Sequence, residues 1–309
     1  MKQHNKTILT NPFFVALIAT FCCALWGSAT PIIKIGSSLM IPEGGTSSTL
    51  LFAGFRFFLA GAMVVLSGSV IQKKVLVPKA ENVGKVIWVS MFQTVIQYVL
   101  FYIGVANTTA VKATLTTGCG SFSAILVATL LFRFEKLTPK KIFSCVIGFL
   151  GILLVHFDGL DFQMNLFGDG FVLLSTISYG VSSALIKQFS DLEDPVVISG
   201  YQFLIGGLIM MMIGFFSGGS IILSDVISWS ILLYLAFLSA MAYSLWGILL
   251  KHNPISKVAV HGFMIPVFGV IISQCILSEQ GGVAPWRLFV ALVLVSVGIF
   301  LSNYSIQKK

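Results

Sequence analysis

The chain has 309 residues, 57% of them hydrophobic and 10% charged, with a mean hydropathy of +0.97. That little charge cannot clothe a water-soluble globule of this size, so the chain belongs in a bilayer. The formal net charge of +8 would suit nucleic acid, but the basic residues fall in short clusters between apolar runs and read as topology signals; no nucleic-acid partner is expected.

A helix needs about twenty apolar residues to cross roughly 30 Å of hydrocarbon. Ten such runs follow one another, at about 13–35, 47–71, 84–104, 110–132, 140–156, 168–187, 195–217, 228–250, 257–278 and 285–305. The first follows a basic start but lacks a small-residue cleavage site and is long for a signal peptide, so it is expected to stay as a span. It carries Trp26, Gly27 and Lys34, and the second carries Arg56 deep inside it. In the third, Gln93 and Gln97 share a helix face at i, i+4 spacing, with Tyr98 adjacent. The fourth opens near Lys112 and bears Thr114, Thr117 and Ser121; Glu135 follows it, and the fifth ends at His156. The sixth holds Ser175, Tyr179 and Lys187, the seventh Gln202, and the eighth Tyr243 and Trp246. The ninth starts at Lys257 and places His261 shortly before Pro266, whose missing N–H weakens a helix, with Glu279 at its far end. Lipid-facing backbone must bond to itself, so the runs are helices, and the short alternating segments of a barrel are missing.

The connectors are too short for a soluble domain; 36–46, with Pro42, Gly44 and Gly45, and the acidic turn Asp191–Pro195 read as plain turns. All five cysteines (Cys22, Cys23, Cys119, Cys145 and Cys275) lie in apolar runs without a CxxC pair, so neither a disulfide nor a metal site is expected. With a cytoplasmic amino terminus, fifteen of the nineteen lysines and arginines fall inside, three (Lys34, Lys112 and Arg287) outside, and Arg56 within the membrane. Both termini are therefore expected in the cytoplasm.

Ala24–Lys34 returns in degenerate form as Ile177–Lys187, each copy setting an aromatic beside a glycine and a lysine seven residues on. Gly54-Phe55-Arg56-Phe57 with Gly61 likewise matches Gly200-Tyr201-Gln202-Phe203 with Gly207, and Tyr98, Phe101 and Lys112 fall on Tyr243, Trp246 and Lys257. The chain thus reads as a tandem duplication, 12–157 and 166–306. Five spans per copy is an odd number, so the second copy enters from the opposite side. The expected fold is an all-α integral membrane protein of ten transmembrane helices in two inverted five-helix repeats. That is secondary-transporter architecture, with substrate bound between the halves near the midplane.

In sequence order, Trp26-Gly27 with Lys34, Arg56-Phe57, Thr108-Thr109-Ala110-Val111-Lys112-Ala113, Glu135-Lys136-Leu137-Thr138 and Gly148-Phe149-Leu150-Gly151 form a pattern. The second half answers with Ser256-Lys257-Val258-Ala259, Pro266-Val267-Phe268, Glu279 and Gly298. Each half resembles the EamA unit of the drug/metabolite transporter superfamily. The resemblance implies a ten-helix carrier of small metabolites, amino acids among them, in the cytoplasmic membrane, with export as the expected direction and no cofactor. Gly120-Ser121-Phe122 departs from it where a proline would stand in span four, and Gln202 replaces the arginine of span two.

Intramembrane ionisable groups are costly and usually functional. Arg56 is either an anchor for a carboxylate or phosphate or an arginine snorkelling or bridging helices. Lys34, Lys187, Lys112 and Lys257 either snorkel or act as gates that neutralise helix carbonyls or a substrate anion. No Asp or Glu falls mid-span, which removes the group that carboxylate-driven proton or cation antiport needs. His261 is a packing histidine or a proton relay. Polar groups facing lipid would leave hydrogen bonds unmet, so Gln93, Gln97, Gln202 and their neighbours should face the bundle interior. Trp26, Tyr98, Tyr179, Tyr243 and Trp246 would wall a small zwitterion there, or simply pack. Phosphorylated metabolites stay open as substrates. An embedded enzyme lacks any paired carboxylates, HExxH or Ser-His-Asp set, and a channel lacks a filter loop. The expected partners are a small solute and the lipid bilayer, with a single chain as the working unit.

Overall fold

A computed structural model describes residues 8–41, 43–157, 163, 165–277 and 283–303. Both termini, Pro42 and Glu279, which figure in the expectations above, lie outside the described residues. The described residues are helical with short connectors. In chain order the long helices are α1 (Pro12–Met40), α2 (Thr46–Gln72), α3 (Ala80–Ala106), α4 (Ala110–Leu131) and α5 (Pro139–Val155). There follow α6 (Leu166–Phe189), α7 (Pro195–Phe216), α8 (Val226–His252), α9 (Ile255–Ile276) and α10 (Pro285–Asn303).

Local chemistry sets the starts. Asn11, Thr109, Thr138, Asn165, Asp194 and Asp225 each accept a hydrogen bond from a backbone N–H of the turn they precede, and prolines open α1, α5 and α7. The first helix runs to Met40 rather than to about 35, because nothing in Gly36–Met40 stops it before Pro42 bars the residue ahead of it from helical geometry. Among the described residues nine helices are long and apolar enough to cross a membrane; α5, at 17 residues, is about 26 Å long.

Small residues bring the helices together. Along α2 and α7 the backbones touch in antiparallel order: a Cβ on Gly54 would lie 2.5 Å from the Met211 nitrogen, and one on Gly61 would lie 2.6 Å from that of Leu204. Gly207 and Gly214 meet the Phe58 and Leu51 nitrogens in the same way, at 2.4 and 2.5 Å. Side chains cannot fit there, so the helices approach closely through glycine. Helix α1 packs on α8 and α9, α6 packs on α3 and α4, and α5 lies against α10. Gly27 seats α1 against the Gly269 backbone of α9, and Gly180 seats α6 against the Ser123 carbonyl of α4.

Three helices depart from α geometry near the bundle centre. A π-helical turn spans Met91–Ile96 in α3, α4 is interrupted at Cys119, and α9 tightens to 3-10 geometry over Val260–Phe263. Such irregularities free or re-aim backbone polar groups and recur where membrane proteins line a cavity.

Candidate functional site

At these irregular points the bundle encloses a cavity of about 220 Å³. Seven helices line it: α1 with Trp26, Thr30 and Ile33; α2 with Arg56; α3 with Gln97, Tyr98, Phe101 and Tyr102. Helix α4 adds Thr117, Gly120 and Ser121; α6 adds Ser175, Thr176 and Tyr179; α8 adds Tyr243; and α9 adds Gly262 and Ile265. The volume falls below the roughly 300–1,000 Å³ typical of drug-sized pockets and suits a small metabolite.

Matched residues of the two halves meet at its wall. The Tyr98 and Tyr243 hydroxyls share a hydrogen bond of 2.6 Å, and Phe57 stacks on Phe203 with centroids 5.2 Å apart and rings 6° from parallel. Trp26 stands edge-on to both Tyr243 and Trp246, 5.0 Å from each.

Arg56 is buried, and its Nε donates to the Ser239 hydroxyl at 2.9 Å. Its charge sits beside the hydroxyls of Tyr102 and Tyr243, and among the described residues it makes no ion pair. At the matched position Gln202 accepts from the Thr94 hydroxyl at 2.5 Å. The scaffolding is shared, but only the first half places a charge at the cavity. Two buried polar atoms of lining residues, Trp26 Nε1 and Gln97 Oε1, find no partner among the described residues.

Six of the ten candidate substrate residues therefore come together: Trp26, Arg56, Gln97, Tyr98, Tyr179 and Tyr243. The other four stand behind the lining. Gln93 is buried on α3, Gln202 is sealed between α3 and α7, Trp246 packs against Trp26, and His261 is wholly buried with Nδ1 3.2 Å from the Val258 carbonyl. Sequence reasoning missed Thr30, Ile33, Phe101, Tyr102, Thr176, Gly262 and Ile265. Tyr102 follows Tyr98 by one helical turn, and Gly262 and Ile265 lie 145 residues after Thr117 and Gly120, so face and repeat spacing together would have found them.

The lysines lie away from the cavity. Lys187 donates to the Leu250 and Asn253 carbonyls, at 3.0 and 2.6 Å, where α8 ends. Beside it the Glu135 carboxylate accepts from the Ser256 backbone N–H at 3.2 Å, from the Ser256 hydroxyl, and from Lys141 at 2.7 Å. A cation thus meets a helix carboxy terminus and an anion a helix amino terminus, both favourable to the helix dipoles. Burial alone would push the Glu135 carboxyl up, but the hydrogen bonds from Lys141 and Ser256 and the Lys141 charge outweigh it and hold it below its ordinary value. At the other end of the bundle, Lys112 lies 3.9 Å from Asp169 and donates to the Gln163 carbonyl at 2.5 Å, while Thr108 also bonds Asp169. Lys34 is exposed near the end of α1, and Lys257 is half-buried in the first turn of α9.

The sequence profile of the EamA-like transporter family matches residues 13–157 and again 166–304. The chain belongs to the EamA-like transporter family. Similar members include the "Uncharacterized transporter YvbV" of Bacillus subtilis, 23% identical over 98% of this chain and 94% of that one. Another is the "Uncharacterized transporter sll0355" of Synechocystis, 28% identical over 100% and 95%. A "WAT1-related protein" of Arabidopsis thaliana is 25% identical over 96% of this chain and 69% of its own. A crystal structure shares the fold, with a TM-score of 0.73 over 93% of this chain and 97% of that one; at 14% identity the likeness concerns fold alone. This EamA-like protein is a multi-pass membrane transporter and not an enzyme.

Proposed function

We propose that the protein is a secondary carrier that moves a small organic metabolite, an amino acid or similar zwitterion, across the cytoplasmic membrane by alternating access between two inverted halves. The observation that carries this reading is the hydrogen bond between Tyr98 and Tyr243, matched residues that meet at the cavity wall. A pseudo-two-fold axis in the membrane plane brings matched residues face to face in this way.

Contacts elsewhere support the same symmetry. Adding 146 to Gly54 gives Gly200 and taking 146 from Met211 gives Val65, and Gly54 abuts Met211 as Gly200 abuts Val65. The contact of Gly61 with Leu204 maps in the same way onto that of Gly207 with Phe58. With 147 in place of 146, Gly151 against Ala291 maps onto Gly298 against Ser144. Exchange of halves turns each of these contacts into its partner. In this reading α5, within the roughly 17–25 residues that can span a bilayer, is the tenth crossing, the halves are 12–157 and 166–306, and both termini are cytoplasmic.

The cavity runs toward the carboxy-terminal ends of α1 and α3, where Thr30 is exposed, while its matched residue Ser183 is 2% exposed. The structure then represents one of two access states, with Lys187 clamping the closed end. In the other, Lys34 takes the equivalent carbonyls at the end of α3. Export is the proposed direction, on family grounds. A phosphate ester fits less well, because a single guanidinium would face a dianion. The test is counterflow of labelled solutes in proteoliposomes: Gln97→Ala, in the lining, and Trp246→Ala, which unseats Trp26, should each abolish flux while the protein still folds. Unchanged flux in both would remove the cavity from the transport path.

A further inference from the structure

Resting on the carrier reading, we infer that the cavity is built for one orientation of an apolar α-amino acid, with the carboxylate on Arg56 and the ammonium on the Gln97 carbonyl. The starting point is a mismatch between symmetry and charge. Arg56 and Gln202 occupy matched positions, and each is held by a hydroxyl at a matched position of the opposing half, Ser239 and Thr94. The second half makes its contact with a neutral amide, so the fold does not need a cation there. An intramembrane guanidinium without a counter-ion is nonetheless expensive. Its Nε is taken by Ser239, and among the described residues no carboxylate answers its charge. The missing partner is therefore sought in the cavity that Arg56 lines.

The remaining orphans specify the rest of the ligand. Among the described residues Gln97 Oε1 is a buried acceptor without a donor, and Trp26 Nε1 is a buried donor without an acceptor. An unmet buried polar group is costly, so both await complementary groups. A carboxylate takes Arg56 and the Trp26 N–H together, and an ammonium gives a hydrogen to Gln97 while resting against the electron-rich faces of the tyrosines. Ile33, Phe101 and Ile265 leave an apolar remainder of the wall for the side chain. The lining has no carboxylate to hold a cation by charge, so an amine lacking the acid should bind poorly.

The experiment is thermal melting of the detergent-purified full-length protein with L-phenylalanine, L-phenylalaninamide, 3-phenylpropionate and phenethylamine, alongside counterflow of a wider solute panel in proteoliposomes. Phenylalanine should raise the melting temperature and 3-phenylpropionate should raise it less, while the amide and the amine leave it unmoved. Arg56→Gln copies the arrangement at Gln202 and should fold; it should lose roughly tenfold or more in affinity for both acids. Gln97→Met should erase the preference for phenylalanine over 3-phenylpropionate by lowering the phenylalanine response to that of the acid without an amine. Equal stabilisation by the amide, or an undiminished response in Arg56→Gln, overturns the carboxylate anchor. A protein that exchanges sugars, nucleosides or amines and ignores carboxylates also overturns it, yet leaves the carrier reading intact. Exchange of no solute class removes both.

Discussion

The glycine contact between α2 and α7 yields a prediction whose sign depends on position. Replacing a helical glycine by alanine ordinarily stabilises a helix by about 1 kcal/mol, because glycine loses more backbone freedom on folding. At Gly84 in α3 a new Cβ would meet nothing within 4 Å, so Gly84→Ala should keep that gain. At Gly207 the same methyl would lie 2.4 Å from the Phe58 nitrogen, 2.8 Å from its Cα and 2.9 Å from the Gly54 carbonyl oxygen. Those are backbone atoms, which cannot rotate aside. Ordinary contact begins at 3.4 Å, so α2 and α7 must part by about an ångström. Overpacking of this kind costs about 1–3 kcal/mol. Against the gain of about 1 kcal/mol the substitution should be destabilising by up to about 2 kcal/mol. Melting of purified protein followed by tryptophan fluorescence should rank Gly84→Ala at or above the parent and Gly207→Ala below it. If Gly207→Ala melted as high as Gly84→Ala, direct backbone contact between α2 and α7 would be refuted.

Three other predictions follow from the same geometry. Thr30→Cys and Ser183→Cys, each in a background without other cysteines, should react with an impermeant thiol reagent from opposite sides of the membrane, and a condition that raises one rate should lower the other; a common side for both would refute the inverted arrangement. Lys187→Met removes the donor to Leu250 and Asn253 and should raise the reactivity of Ser183→Cys relative to Thr30→Cys, with Lys34→Met acting in the reverse sense; no change in the ratio would make Lys187 a bystander. Glu135 has a folded pKa below its unfolded one, so its contribution to stability is complete above the unfolded value and is lost as pH falls through the folded one. Glu135→Gln should thus melt lower than the parent at pH 7, by roughly the 1 kcal/mol of a lost helix cap, and the gap should close as pH falls through the folded value; a gap independent of pH would show that the charge is not what matters.

Much of this architecture was legible because a bilayer restricts the options. Apolar runs about twenty residues long have to be helices, and Trp26-Gly27 with Lys34 and Tyr179-Gly180 with Lys187 fall one in each of the two segments that the family profile matches. Arg56 announced itself as a charge in a span. Depth within the wall did not. Gln93 and Gln97 lie four residues apart, yet the π-helical turn over Met91–Ile96 holds the first and ends before the second, and Gln97 lines the cavity while Gln93 is buried away from it. A period of 3.6 cannot foresee an inserted turn. The partners of the lysines were not legible for another reason: Lys187 and Lys112 find carbonyls and a carboxylate across the bundle, contacts set by packing between helices far apart in sequence.

In the alternating-access carrier proposed above, duplication and asymmetry serve different needs. Two access states must lie within a few kcal/mol of each other if both are to be populated during a cycle. Paired contacts that exchange when the halves swap roles, such as Gly54 with Met211 and Gly200 with Val65, supply near-equal energies without separate tuning of each state. The bound solute is different, since it is one molecule seen by both states and has no two-fold symmetry of its own. Its recognition groups gain nothing from being duplicated, and a second buried guanidinium at Gln202 would add a repulsive charge with no ligand atom to meet it. In the proposed carrier, a single cation at Arg56, beside the joined hydroxyls of Tyr98 and Tyr243, is therefore what two exchanging halves around an unsymmetric ligand would call for. Installing the charge twice, as Gln202→Arg in the otherwise native protein, should slow exchange rather than speed it; faster exchange in that variant would mean that the two halves bind solute independently.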